Sequence, residues 1–154
     1  MTTPRTLATL SLASAAFFPL ARAEVIPVTG GDGAAIAAAI ARSVPGDTVF
    51  IPPGVFPIDG AIRPRSATRL IGAGQERTIL RFAGKSPSVL VDLSGREDVE
   101  VAGFALDGAG EPDACQGISA ANARRLNVHH VSIRNLVKGT SFGPHGILFS
   151  GRNP

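Results

Sequence analysis

The sequence has no tryptophan and no tyrosine, and two of its eight phenylalanines, Phe17 and Phe18, fall in the first 23 residues. Sugar-binding clefts commonly stack rings on aromatic faces, so little surface of that kind is on offer. A single cysteine, Cys115, excludes an internal disulfide, and the core must rest on apolar burial with Cys115 as a free buried thiol. Neither sign of charge is in excess. Lys and Arg total 15 against 12 acids, and setting aside Arg5 and Arg22 leaves 13 against 12. Outside Arg124-Arg125 the basic residues are scattered, which excludes a nucleic-acid footprint. Long hydrophobic runs are missing too. The stretch from Leu7 to Leu20 is shorter than the roughly 20 residues of a membrane span and contains Pro19, so no integral membrane segment is expected after signal removal.

That stretch reads instead as a secretory signal. Arg5 precedes it, and Ala21-Arg22-Ala23 supplies small residues at a cleavage site before the polar change at Glu24. Residues 1–23 are therefore set apart, and the protein is expected to be exported, periplasmic or extracellular, with residues 24–154 forming part of a single domain.

Short β-branched and aliphatic runs, Thr48-Val49-Phe50-Ile51, Thr78-Ile79-Leu80-Arg81-Phe82 and Val89-Leu90-Val91, alternate with Gly, Pro, Asp and Asn from about residue 48 onward. They are too short and too often broken for helices and predict strands. One helix is predicted, capped by Asp32, running to Ser43 with Ile36, Ile40 and Val44 on one face, and stopped by Pro45-Gly46. The strands repeat. Val99–Leu106 aligns with Leu126–Ile133 at an offset of 27, Leu70 precedes Val101 by 31, and Ile147 follows Ile118 by 29. Self-similarity at this period signals stacked units. Alternation puts Val99, Val101, Leu126 and Val128 inward and Glu100, Asn127 and His129 outward. The expected fold is an all-β, right-handed parallel solenoid of about three coils, its open end covered by the helix at about 32–44. The next copy would fall near position 155, so the offsets imply further coils.

The series Asp47-Thr48-Val49-Phe50-Ile51-Pro52-Pro53-Gly54-Val55-Phe56, Thr68-Arg69-Leu70-Ile71-Gly72-Ala73-Gly74 and Val101-Ala102-Gly103-Phe104-Ala105-Leu106-Asp107-Gly108 resembles the opening of the pectate lyase-like superfamily of right-handed β-helix proteins. The resemblance spans about residues 28–150. It implies a protein of the polysaccharide lyase, glycoside hydrolase or uronate epimerase kind, with polysaccharide as partner and its catalytic coils downstream. The alternative is a non-catalytic carbohydrate-binding or cell-surface structural β-helix. Phe142-Gly143-Pro144-His145-Gly146 is faintly similar to an Asp-Pro-His-Glu signature of alginate epimerases, with glycines in place of both acids.

Proton abstraction next to a uronate carboxylate needs a base and a cation on one face. His129, Arg134, Lys138 and His145 are the candidates. Asp107, Glu111 and Asp113 crowd one loop with hard oxygen ligands of the sort that suit Ca²⁺, which the resemblance brings to mind as a lyase cofactor. A plain turn, with Asp107 paired to Arg134 one coil later, explains the same residues. His129 and His130, as strand neighbours, are expected to point to opposite faces, with His130 at the bend that Gly103 occupies one coil earlier.

Overall fold

The computed structural model describes residues 22–84, 88–112, 114–138 and 144–151. All of the expected signal except Arg22 and Ala23 lies outside these residues, as do Asp113 and the side chain of Cys115. Strand β1 (Val25–Pro27) precedes helix α1 (Gly33–Arg42). There follow β2 (Thr48–Ile51), β3 (Gly54–Ile58), β4 (Arg69–Gly72), β5 (Thr78–Phe82), β6 (Ser88–Asp92), β7 (Glu100–Asp107), β8 (Ala114–Ala121), β9 (Asn127–Arg134) and β10 (His145–Ser150). Every strand pairing among the described residues is parallel.

The strands coil into three faces. The first stacks β1, β2, β4 and the leading halves of β7 and β9, with Val49, Leu70, Val101 and Val128 in one column. The second stacks β3, β5 and the trailing halves of β7 and β9 through Phe56, Leu80, Leu106 and Ile133. The third joins Ile62 to β6, β8 and β10 through Val91, Ile118 and Ile147. The inward columns meet in the middle, where Leu70, Leu80, Val91, Val101, Phe104, Leu106 and Ile118 are buried. Each such side chain contributes roughly 1.5–3 kcal/mol over an exposed one. Val128 and Ile133, on the last turn described, pack against this core from one side and are half-buried.

The described residues make four turns, one more than the offsets indicated. From Thr48 to Arg69 the spacing is only 21 residues, so the first turn does not align with the later copies. Each turn enters the first face through a left-handed residue two places before its strand: Gly46, Ala67, Asp98 and Arg125 have φ of 98°, 57°, 56° and 51°. The corner backbones bond one turn to the next, Gly46 N–H to Ala67 O at 2.7 Å and Ala67 N–H to Glu97 O at 2.8 Å.

Helix α1 covers the open end through Ile36, Ala39 and Ile40, packed on β1, β2 and β3. Asp32 is the N-cap, its carboxylate accepting from Ala35 N–H at 2.9 Å. At the other end Ser43 caps, its hydroxyl donating to Ile40 O at 2.7 Å. Val44 is outside the helix and exposed, contrary to expectation. Pro45 disfavours helical torsions at the preceding residue, and the buried Asp47 carboxylate draws the Val44 amide into a turn at 2.8 Å. Amide donation by Val44, and then by Glu24, holds the Asp47 carboxyl below the ordinary carboxylate range. Asp32→Ala is expected to remove about 1 kcal/mol by orphaning an N-terminal amide, read as a lowered midpoint in thermal melting. An unchanged midpoint would show that the cap contributes nothing.

Candidate active site

Register brings Arg69, Glu100 and Asn127 abreast on β4, β7 and β9, with His129 two residues further along the same outward side. Arg69 Nε lies 3.2 Å from Glu100 Oε2, and His129 Nε2 lies 3.1 Å from Glu100 Oε1. The carboxylate thus bridges a guanidinium of the turn above and an imidazole of the turn below.

His130 departs from the expected geometry. Strand alternation would aim it away from His129, yet the two Nδ1 atoms are 2.7 Å apart, with ring centroids at 5.0 Å and planes at 83°. The cause is local: His130 has φ of 50°, and a left-handed residue interrupts the alternation of a strand. His130 does sit at the bend, as expected, since Ala102 pairs His129 and Phe104 pairs Val131, leaving Gly103 opposite it. Gly103 has φ of 75°, and a Cβ there would stand 2.6 Å from the Gly72 carbonyl oxygen, so the bend one turn up requires glycine.

Hydrogen positions follow from the network. Where Glu100 accepts the Nε2–H of His129 and that ring carries no second proton, its Nδ1 is left as an acceptor. That lone pair faces His130 Nδ1, which must then carry the proton of the 2.7 Å bond. His130 Nε2 is left as a free lone pair on an exposed ring. A carboxylate and two imidazoles are therefore hydrogen-bonded in series.

Beside this chain runs a groove of about 390 Å³, lined by Thr68, Arg69, Asp98, Glu100, Arg125 and Asn127 among others. Arg125 grips Asp98 through two bonds of 2.6 and 2.8 Å and reaches Glu97 at 3.0 Å. The hydrogen bond from Arg125 holds the Asp98 carboxyl below its usual range, so Asp98 is a fixed anion.

The other candidates lie elsewhere. Arg134, at the end of β9, faces Asp107 at 3.7 Å, the stacked pair expected from the 27-residue offset. Arg81 joins from the turn above at 3.2 Å, Asn135 Nδ2 donates at 2.8 Å and Ala109 N–H at 2.9 Å. Lys138 is exposed beyond β9, and His145 opens β10 on the third face, opposite Gln116. The structure therefore does not gather Arg134, Lys138 and His145 around His129. Glu100, Arg69 and His130 take their place, and the 27-residue offset could not have found the first of them, since it carries His129 back to Ala102 and Glu100 forward to Asn127.

Asp107 and Glu111 do not make a calcium shell as placed. Asp107 is buried with protein donors on both oxygens, Glu111 is exposed in the following turn, and no cluster of three metal-ligating side chains occurs among the described residues. Burial pushes the Asp107 carboxyl up, but the bonds from Asn135, Ala109 and Arg81 together outweigh it and hold it below the ordinary value. A depressed folded-state value means the unfolded chain binds the proton more tightly, so this carboxylate stabilises above the unfolded carboxylate range and that contribution is lost as pH falls through the folded value. Asp47, Asp92 and Asp98 are depressed likewise. The melting temperature should therefore fall steeply below about pH 4. Asp107→Asn should flatten that acid limb, and an equally steep limb in the variant would count against the ladder.

No helix among the described residues is long and apolar enough to cross a membrane. Comparison with curated proteins and with solved structures gave no match. A family model described as rhamnogalacturonase A/epimerase, pectate lyase-like, matches residues 29–98, from the approach to α1 through β6 and up to the corner residue Asp98. Arg69 falls within that span, whereas Glu100, His129 and His130 follow it. Four parallel turns under a capping helix make the described residues a parallel β-helix, and over residues 29–98 the chain is similar to the pectate lyase-like family of that model.

Proposed function

We propose that this is an exported protein, periplasmic or extracellular, that acts on acidic polysaccharide by removing the proton α to a uronate carboxylate, as a lyase or an epimerase. The observation that carries the reading is the hydrogen-bonded series Glu100, His129, His130 on the outward side of the first face. His130 Nε2 is the base. It takes the proton, the C–H electron pair enters an enolate-like system, and Arg69, beside the groove, steadies the charge. In elimination that pair then forms a double bond and expels the glycosidic oxygen, which takes up a proton. In epimerisation the carbon is reprotonated on its opposite side.

Hydrolysis fits less well. It calls for two carboxyls flanking the bond, one protonated as an acid. The groove offers Asp98 and Glu100, and each is tied to an arginine. In the proton-abstraction scheme Arg69 supplies the positive charge that a bound cation would otherwise supply.

The test uses full-length protein incubated with polyuronates in deuterated water. Epimerisation predicts deuterium at the carbon α to the carboxylate, and elimination predicts an unsaturated end whose α carbon carries no hydrogen. His130→Ala should reduce the formation of either product about a hundredfold or more. Hydrolysis without deuterium incorporation would overturn the reading, and binding without any product would make the protein a non-catalytic carbohydrate-binding β-helix.

A further inference from the structure

A second groove, of about 400 Å³, lies between α1 and the corner that leads into the first face, lined by Ala37, Ile40, Ala41 and Ala61 and by three arginines, Arg63, Arg65 and Arg96. No acid lines it. Arg63 Nε is paired with Asp92 Oδ2 at 3.1 Å, and Arg65 Nη1 donates to the Ser43 carbonyl at 2.9 Å, closing the helix end. Arg96 has no carboxylate partner among the described residues, and its Nε is buried without an acceptor. Three guanidiniums against one bordering carboxylate leave the groove with an excess of positive charge over an apolar floor of alanines and Ile40. A buried guanidinium N–H without an acceptor is unfavourable, and a carboxylate that draws the Arg96 fork around would relieve it. Arg65 and Arg96 each stand two residues before a residue of the first groove, Ala67 and Asp98, so the two grooves border the same corner.

From this we infer that the Arg63, Arg65 and Arg96 groove is a separate binding site for the carboxylates of an acidic polysaccharide, holding a sugar next to those in the groove of Arg69 and Glu100. The identity of the polymer rests on the proposed function; the anion site rests on the arginines alone. The apolar floor suits the carbon face of a sugar ring, and its volume is in the range of small-ligand sites.

The test is calorimetric titration of full-length protein with an oligogalacturonate, its fully methyl-esterified form, and inorganic phosphate. Arg96→Gln and Arg63→Gln are compared with Arg77→Gln, an exposed arginine that lines neither groove, and thermal melting checks each variant. The oligomer should bind wild type and Arg77→Gln alike, and Arg96→Gln about tenfold or more weakly. The ester should bind wild type no better than the oligomer binds Arg96→Gln, and phosphate should not displace the oligomer. Equal binding by wild type and Arg96→Gln, or an equal loss in Arg77→Gln, would overturn the site. Displacement by phosphate at matched charge would reduce it to a simple anion site and overturn the saccharide assignment. Formation of either product lost in His130→Ala but unaffected in Arg96→Gln, with binding also unaffected there, would leave the proposed function standing and this inference refuted.

Discussion

Val101→Asp is expected to abolish soluble, folded protein, whereas Val55→Asp, the same exchange on an outward position of β3, should be tolerated. Val101 is fully buried between Leu70 and Val128, its register partners in the turns above and below, while Val55 is 53% exposed. A carboxylate in the Val101 column has no donor to pair with and costs several kcal/mol whether it ionises or takes a proton. That is comparable with the whole stability of a domain, about 5–15 kcal/mol. At Val55 the change is limited to strand preference and exposed surface, within about 1 kcal/mol. Soluble yield and the far-ultraviolet dichroism of both variants decide the matter. A folded Val101→Asp beside a collapsed Val55→Asp would mean that the register is slipped by one residue, which would turn every side chain to the other face.

Much of this register was legible in the sequence because a solenoid writes its core locally and then repeats it. Val101 over Val128, Val91 over Ile118 and Ile118 over Ile147 all follow from offsets of equivalent aliphatic residues. The pair of Asp107 with Arg134 follows in the same way. Offsets fail where loops change length. The 21-residue first turn hid the stacking of Thr48 on Arg69, and the 26-residue step from Arg81 to Asp107 hid the third member of the ladder. Backbone sign is less legible still. Ala67 and Asp98 take the left-handed corner without being glycine, because their amides are bonded to the next turn, and Arg125 takes it with its guanidinium tied to Asp98. His130 shows the consequence for chemistry. Regular alternation separates it from His129, and a single positive φ places the two rings in contact. The candidate site was illegible for that reason, although Glu100, His129 and His130 were visible as outward or at a bend.

Glu100→Gln tests whether that contact does anything. The amide has nearly the shape of the carboxylate, so the fold and the Asn127 pairing should persist, with a melting point close to that of the parent. What changes is the proton order. A glutamine can turn its NH₂ toward His129 Nε2, which then accepts, so the proton of His129 moves to Nδ1 and points at His130. His130 Nδ1 must in turn become the acceptor, and its proton passes to Nε2, the atom that serves as base. The base is thereby blocked with all heavy atoms in place. Turnover should fall about 10²–10⁴-fold, the range spanned by losing general-base catalysis or its tautomer control. KM for the polyuronate should change little, since Glu100 acts as a positioning residue through His129. Nitrogen chemical shifts of the two rings report the tautomers directly and should exchange their Nδ1 and Nε2 assignments between wild type and variant. A loss of turnover without that exchange would assign the damage to packing or to the loss of the Arg69 pair, and full turnover with exchanged tautomers would remove His130 from the role of base.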